Sequence, residues 1–185
     1  MRQAGFTDFS IWPEDPPRDE YNAIVYLQPA NTLNKGAIGF DMGTEEVRRQ
    51  AMDLARDSGK PTASGRVTLV QERDQPVKQS GFLIYAPVYR NNARLTSEAE
   101  RRQALIGFVY SPYRIDDFLA PVLGEKHHDV SFQVYDGTEV NPENLLSSTA
   151  TGASSEPLFT DKRTQNVAGR TWTLAYATKP SFEQR

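Results

Sequence analysis

The sequence predicts an α+β fold, antiparallel sheets flanked by short helices, and three observations carry that prediction. Strand-like runs such as "RTWTLAYAT" alternate in apolarity, with Trp172, Leu174 and Tyr176 on one face. Apolar residues recur at helical period in only two main stretches, 44–59 and 115–122. Elsewhere strands follow one another through turn-rich loops, an order that suits hairpins rather than parallel βαβ crossovers. A chain of 185 residues is long enough for one medium domain, or for two small subdomains sharing a sheet edge.

In "GFTDFSIWPEDPPRDEY", Phe9 and Ile11 share a strand face ahead of a proline-rich turn. "NAIVYLQP", bounded by Asn22 and Pro29, reads as a buried strand. Val47, Ala51, Leu54 and Ala55 form an apolar stripe at i, i+4, i+7 and i+8, so the spacing predicts a helix. Thr44 is its expected N-cap and Gly59 its C′ residue, with Pro61 preventing continuation. Glu45, Arg49 and Asp53 lie four apart and are expected to pair on the wet face, at about 0.2–0.5 kcal/mol per pair.

"SGRVTLVQE" and "GFLIYAPVYR" are the next strands, joined by the polar loop "RDQPVKQS". The second carries Phe82, Ile84 and Val88 on one face and Leu83, Tyr85 and Tyr89 on the other, so both faces should be covered. A short helical turn from Ser97 precedes "ALIGFVYSPY", which reads as a third central strand. "RIDDFLAPVL" presents Ile115, Phe118, Leu119 and Val122 as an amphipathic helix despite Pro121. "DVSFQVYDG" alternates Val130, Phe132 and Val134 into an Asp-Gly turn, and "NPENLLSSTATGASSEP" reads as a mobile loop. "SEPLFTDKR" and "RTWTLAYAT" close the chain, with the turn into the last strand at "VAGR".

Composition removes several functional classes. Net charge is −3 with Lys and Arg scattered, which gives nucleic acid no concentrated positive surface. No apolar run approaches the roughly 18 residues that suggest a membrane span, and no signal-peptide pattern opens the chain. Cysteine is absent, which excludes disulfides, Cys-ligated zinc and thiol catalysis. Glycine-rich phosphate loops and serine-nucleophile motifs are absent as well. His127 and His128 are adjacent and diverge, and Asp116 and Asp117 diverge on a helix's first turn, where acids complement the dipole. No catalytic set, metal site or cofactor is therefore expected.

Four tyrosines and one aspartate remain. Tyr85, Tyr89, Tyr110 and Tyr113 are either the amphipathic edge of a core or the wall of a mostly apolar ligand pocket. Asp41, between Phe40 and Met42, is either a helix-start acid bonding the Gly43–Thr44 amides or an acceptor for a ligand's N–H groups. A carboxylate placed between two large apolar residues is costly to bury unless it is occupied in one of these ways. On the residues alone both pairs of readings stay open.

"GFDMGTEEVRRQAMDLARDSGKPTASGRVTLVQE", then "GFLIYAPVY", "GFVYSPYRIDDFL" and a closing "WTLAY", in that order, resemble the CHASE domain. These are extracytoplasmic sensor domains of bacterial and plant membrane receptors. The resemblance implies a single CHASE sensor over 1–185, built as tandem PAS-like sheets. Its membrane-distal, ligand-binding subdomain would span roughly 20–125, and its membrane-proximal subdomain would combine 1–19 with 126–185. It also implies a membrane-anchored, homodimeric parent with histidine kinase or diguanylate cyclase output. The chain lacks both spans and most of the family's long N-terminal helix, so an excised soluble piece, monomeric without that helix, is expected.

In the plant members, which bind adenine-type cytokinins, the aspartate of the "DM" motif is the main polar hook, and Asp41 matches it. Backbone contacts after the helix would fall at Ala63 and Ser64. A threonine before the "PVY" element corresponds to Tyr85, whose bulk fills space that a purine substituent needs. The implied pocket is Asp41, Ala63, Ser64, Leu83, Tyr85, Tyr110 and Ser111, taking an amine- or amide-bearing small molecule. The expected function is a periplasmic, non-catalytic ligand sensor. Its rivals are a protein-docking module using the tyrosine face and a hydrolase using Asp41 with a nearby serine.

Overall fold

A computed structural model describes residues 9–72, 76, 80–123, 129–150 and 156–183. In it a helical turn, α1 (Thr32–Lys35), and α2 (Glu46–Ser58) precede β1 (Thr62–Ala63), β2 (Val67–Thr68) and β3 (Ser80–Tyr89). Then come α3 (Glu98–Ala104), β4 (Leu105–Arg114) and α4 (Ile115–Leu123). The chain continues through β5 (Val130–Asp136), β6 (Leu145–Ser148), β7 (Thr160–Val167), β8 (Arg170–Thr178) and α5 (Pro180–Glu183). Two antiparallel four-stranded sheets result, which is the α+β class the sequence predicts. In the first, β3 is the axis: β4 runs along one side, while β1 and β2 share the other. The second has the order β6-β5-β8-β7.

Strand alternation divides the molecule into two cores. Leu83 and Tyr85 of β3, with Phe108 and Tyr110 of β4, turn toward α2 and pack with Phe40, Met42 and Met52. Phe82 and Ile84 turn the other way, where Phe82 joins Ile115, Leu119, Val134 and Trp172 between the sheets. Phe82, Leu83 and Tyr85 are each 1 % exposed or less, so both faces of β3 are covered as its apolarity predicts.

Several local expectations need correction. The helix is real and ends on Gly59, left-handed at φ 72°, but its buried face is Arg48, Ala51, Met52 and Ala55. Val47 and Leu54 are exposed instead. Thr44 is not its cap: Thr44 belongs to a 3-10 turn, Met42–Thr44, that Asp41 caps, and α2 begins at Glu46. Ion pairs on α2 run at i,i+3, from Arg48 to Glu45, Arg49 to Glu46 and Arg56 to Asp53. "NAIVYLQP" is no sheet strand; it makes one bridge, Ala23 to Asp41, with Ile24 buried and Val25 and Tyr26 exposed. Ile11 lies in no strand either, and among the segment's described residues the one bridge joins Trp12 to Phe40.

β4 is an edge strand and not a central one: among the described residues it pairs only with β3. The Ser97 turn is a capped helix, with Ser97 and Glu100 exchanging hydrogen bonds in a capping box. On α4, Ile115 and Leu119 are buried and Phe118 is at the rim; the side chain of Val122 lies outside the described residues. The Ser/Thr-rich stretch read as loop contains β6, paired with β5. His127, His128, most of "RDQPVKQS" and 151–155 lie outside the described residues.

Candidate ligand-binding site

The region beneath α2 is set up by a glycine. Gly39 has φ +84°, and a Cβ there would lie 2.0 Å from the carbonyl oxygen of Ser10, so only glycine fits. The turn sends Phe40, Asp41 and Met42 inward, where backbone bonds from Asp41 to Trp12, Ile24 to Phe40 and Met42 to Asn22 fix them.

Asp41 is fully buried and its carboxylate is occupied from within the protein. Arg18 Nε donates to Oδ2 at 2.8 Å, and the amides of Asn22 and Gly43 donate to Oδ1 at 2.8 and 3.0 Å. The other arms of Arg18 donate to the carbonyls of Pro13 and Pro16. Asp41 therefore caps the 3-10 turn through Gly43, while Arg18 supplies the charged N–H donor that the hook reading assigned to a ligand.

Tyr85 and Tyr110 face each other across the β3–β4 ladder, with ring centroids 5.9 Å apart and Phe108 edge-on to Tyr85. The Tyr85 hydroxyl donates to Met42 Sδ at 3.6 Å, a weak acceptor. Burial pushes its pKa up to about 12, against the opposing charge of Arg48. The hydroxyl of Tyr110 is buried and has no hydrogen-bond partner among the described residues. Burial raises its pKa well above the ordinary phenol value, with Tyr85 adding to the rise and Arg48 opposing it.

Arg48 is the functional candidate that the sequence reading missed. It is 1 % exposed, donates through Nε to Glu45 at 2.5 Å and through Nη2 to the Thr68 carbonyl at 2.9 Å, and lies 5.7 Å from the Phe40 ring centroid. Hydropathy hides such a residue. The one available signal was the Glu45–Arg48 spacing, which allows a charge to be carried inward already paired.

Of the seven residues implied by resemblance, Leu83, Tyr85 and Tyr110 share this face, and Asp41 adjoins it through Met42. Ser64 sits at the joint of the two cores, exchanging backbone and hydroxyl bonds with Leu83 and donating its hydroxyl to Gly65. Ala63 packs in the inter-sheet core, and Ser111, opposite Ile84, is exposed on that same side of the sheet. A separate open cleft of about 550 Å³ lies between Leu69, Gln71, Tyr113, Arg114 and Phe118, and none of the seven lines it.

Among the described residues no His, Cys, Asp or Glu group has a metal-binding arrangement, and no helix is long and apolar enough to cross a membrane. The carboxylate of Asp41 has no hydroxyl among its hydrogen-bond partners in the described residues, which leaves the hydrolase reading without a nucleophile there.

A family model for the CHASE domain matches residues 1–147. The chain belongs to the CHASE domain family. Members are extracellular sensor domains of signalling receptors, and this domain is sensory accordingly. The match runs through the whole first sheet and most of β6, leaving β7 and β8 outside it. No curated protein matches the chain.

Proposed function

We propose that this CHASE domain is the periplasmic, non-catalytic sensing module of a homodimeric transmembrane receptor, binding a small molecule beneath α2. The first sheet is the membrane-distal, PAS-like ligand-binding subdomain, and a histidine kinase or diguanylate cyclase is the output. The observation that carries this reading is the pairing of the buried Tyr85 with the half-buried Tyr110, whose hydroxyl is itself buried, set beside Asp41 in an apolar surround. A ligand there would bias α2 against β3, and its signal is limited to its preference for one arrangement over the other.

An amine-bearing ligand reaches Asp41 only by replacing Arg18, whose other two hydrogen bonds go to carbonyls on the protein's surface. A neutral amide in Arg18's place would leave the buried Asp41 carboxylate without a counter-charge, so an amide is expected to bind with the Arg18–Asp41 pair intact.

A docking module is the second reading. Of the four tyrosines it was expected to use, Tyr85, Tyr89 and Tyr110 lie on the α2 side and Tyr113 stacks on Phe82 on the other face, so its support now comes from Ile106 and Val109 on β4, each 65 % exposed. Thermal denaturation of the purified domain against a panel of primary amines and carboxamides decides between them. The sensor reading expects a compound whose rise in Tm grows with concentration and is lost in Tyr85→Leu. A panel that leaves Tm unmoved overturns small-molecule sensing in favour of docking.

A further inference from the structure

Beneath α2 the protein holds hydrogen-bond donors that it does not use well. Among the described residues the Tyr110 hydroxyl is the buried side-chain polar atom left without a partner. Its neighbour Tyr85 gives its proton only to a thioether, at 3.6 Å. Burying a hydroxyl unpaired is costly, and a folded core with no other use for one would carry phenylalanine.

We propose, resting on the sensor reading above, that these two phenols form a hook for a neutral small molecule bearing a hydrogen-bond acceptor, a carbonyl oxygen or an aromatic ring nitrogen. A phenol can donate and accept, and the O–H of Tyr110 has no acceptor among the described residues, so the proposed ligand supplies a lone pair to it. Arg48 acts on both hydroxyls, and Glu45 neutralises it at 2.5 Å. With that pair closed, a ligand ammonium or carboxylate would be buried here without a counter-charge, whereas a neutral acceptor carries no such penalty. Phe40, Met42, Leu83 and Phe108 pack around the pair, so a flat apolar ligand body enters by repacking them, and methionine adapts its shape most readily.

This separates the two ligand classes considered for Asp41. An amide carries the acceptor that Tyr110 lacks; an ammonium does not.

The test is a saturation-transfer NMR titration of the full chain with four probes on one skeleton: benzamide, acetophenone, benzylammonium and toluene. Benzamide and acetophenone are expected to bind, and Tyr110→Phe to weaken both about tenfold, the equivalent of one hydrogen bond. The unliganded Tyr110→Phe variant should melt no lower than the wild type, since it loses no bond. A variant that melts lower and binds benzamide unchanged would make Tyr110 structural and sink the hook. Binding of benzylammonium alone, abolished by Asp41→Asn, also sinks it but leaves a small-molecule sensor standing. No binding by any probe, together with an unmoved Tm in the amine and carboxamide panel, sinks both.

Discussion

On the face of β3 that meets the second sheet, Phe82 packs edge-on to Phe118 and Trp172 at 5.2 and 5.1 Å within an apolar cluster. On the face beneath α2, a buried arginine, two phenols and, next to them, a buried carboxylate sit among apolar side chains. The first surface is what burial alone would select. The second departs from it, with one hydroxyl unpaired and another bonded to sulfur. A protein gives up stability in this way where a site needs polar groups, and this contrast is the ground for placing the proposed binding site beneath α2 and cohesion between the sheets.

The largest expected effect breaks the cohesive face. Trp172→Ala removes a side chain that is 3 % exposed and joins β8 to β3 through Phe82. It should destabilise the domain by about 3–5 kcal/mol, read as a lower urea midpoint. Because the cluster spans both sheets, they should lose structure in one transition. A first sheet that melts independently at its wild-type midpoint would refute the shared core.

The next effect falls beside the polar face. Asp41→Ala leaves the amides of Asn22 and Gly43 and the guanidinium of Arg18 without their acceptor. Arg18 is partly exposed and can recover water, so the loss should be roughly 2–3 kcal/mol rather than the full penalty of a buried charge. Asp41→Ala at wild-type stability would show that the carboxylate is not the tie that its geometry describes.

These two residues also show what was legible in the sequence and what was not. Trp172 could be placed from alternation alone, because a strand face needs only its own residues to be recognised. The bifacial apolarity of β3 likewise announced a strand covered on both sides. Asp41 could be recognised as a cap, since Gly43 is two residues away. Its pairing with Arg18 could not, because the contact spans 23 residues and depends on how the proline-rich segment returns. Arg48 misled the reading in a different way. A stripe drawn through Val47 and Leu54 assumes that arginine faces water, whereas a guanidinium paired with Glu45 and the Thr68 carbonyl can turn inward. The four-residue spacing of Glu45, Arg49 and Asp53 was visible, but the shorter i,i+3 pairs won.

The smallest effect tests how α2 is held over the polar face. Near its C-terminal end Asp57 accepts two bonds from Arg102 of α3, at 2.9 and 2.7 Å, and further bonds from Arg56. Arg102 first and Arg56 second hold its carboxyl well below the usual carboxylate range. The folded value lies below the unfolded one, near 3.9, so the stabilisation is fully present above about pH 4 to 5. It is lost as pH falls through the depressed folded value. Asp57→Asn should therefore cost about 1 kcal/mol or less at pH 7, as partly exposed pairs do, and less again in high salt. The gap between variant and wild type should shrink as pH falls below 4, measured by urea unfolding across that range. A gap that keeps its full size at pH 2 would mean that Asp57 acts through packing, and that α2 is not clamped by charge.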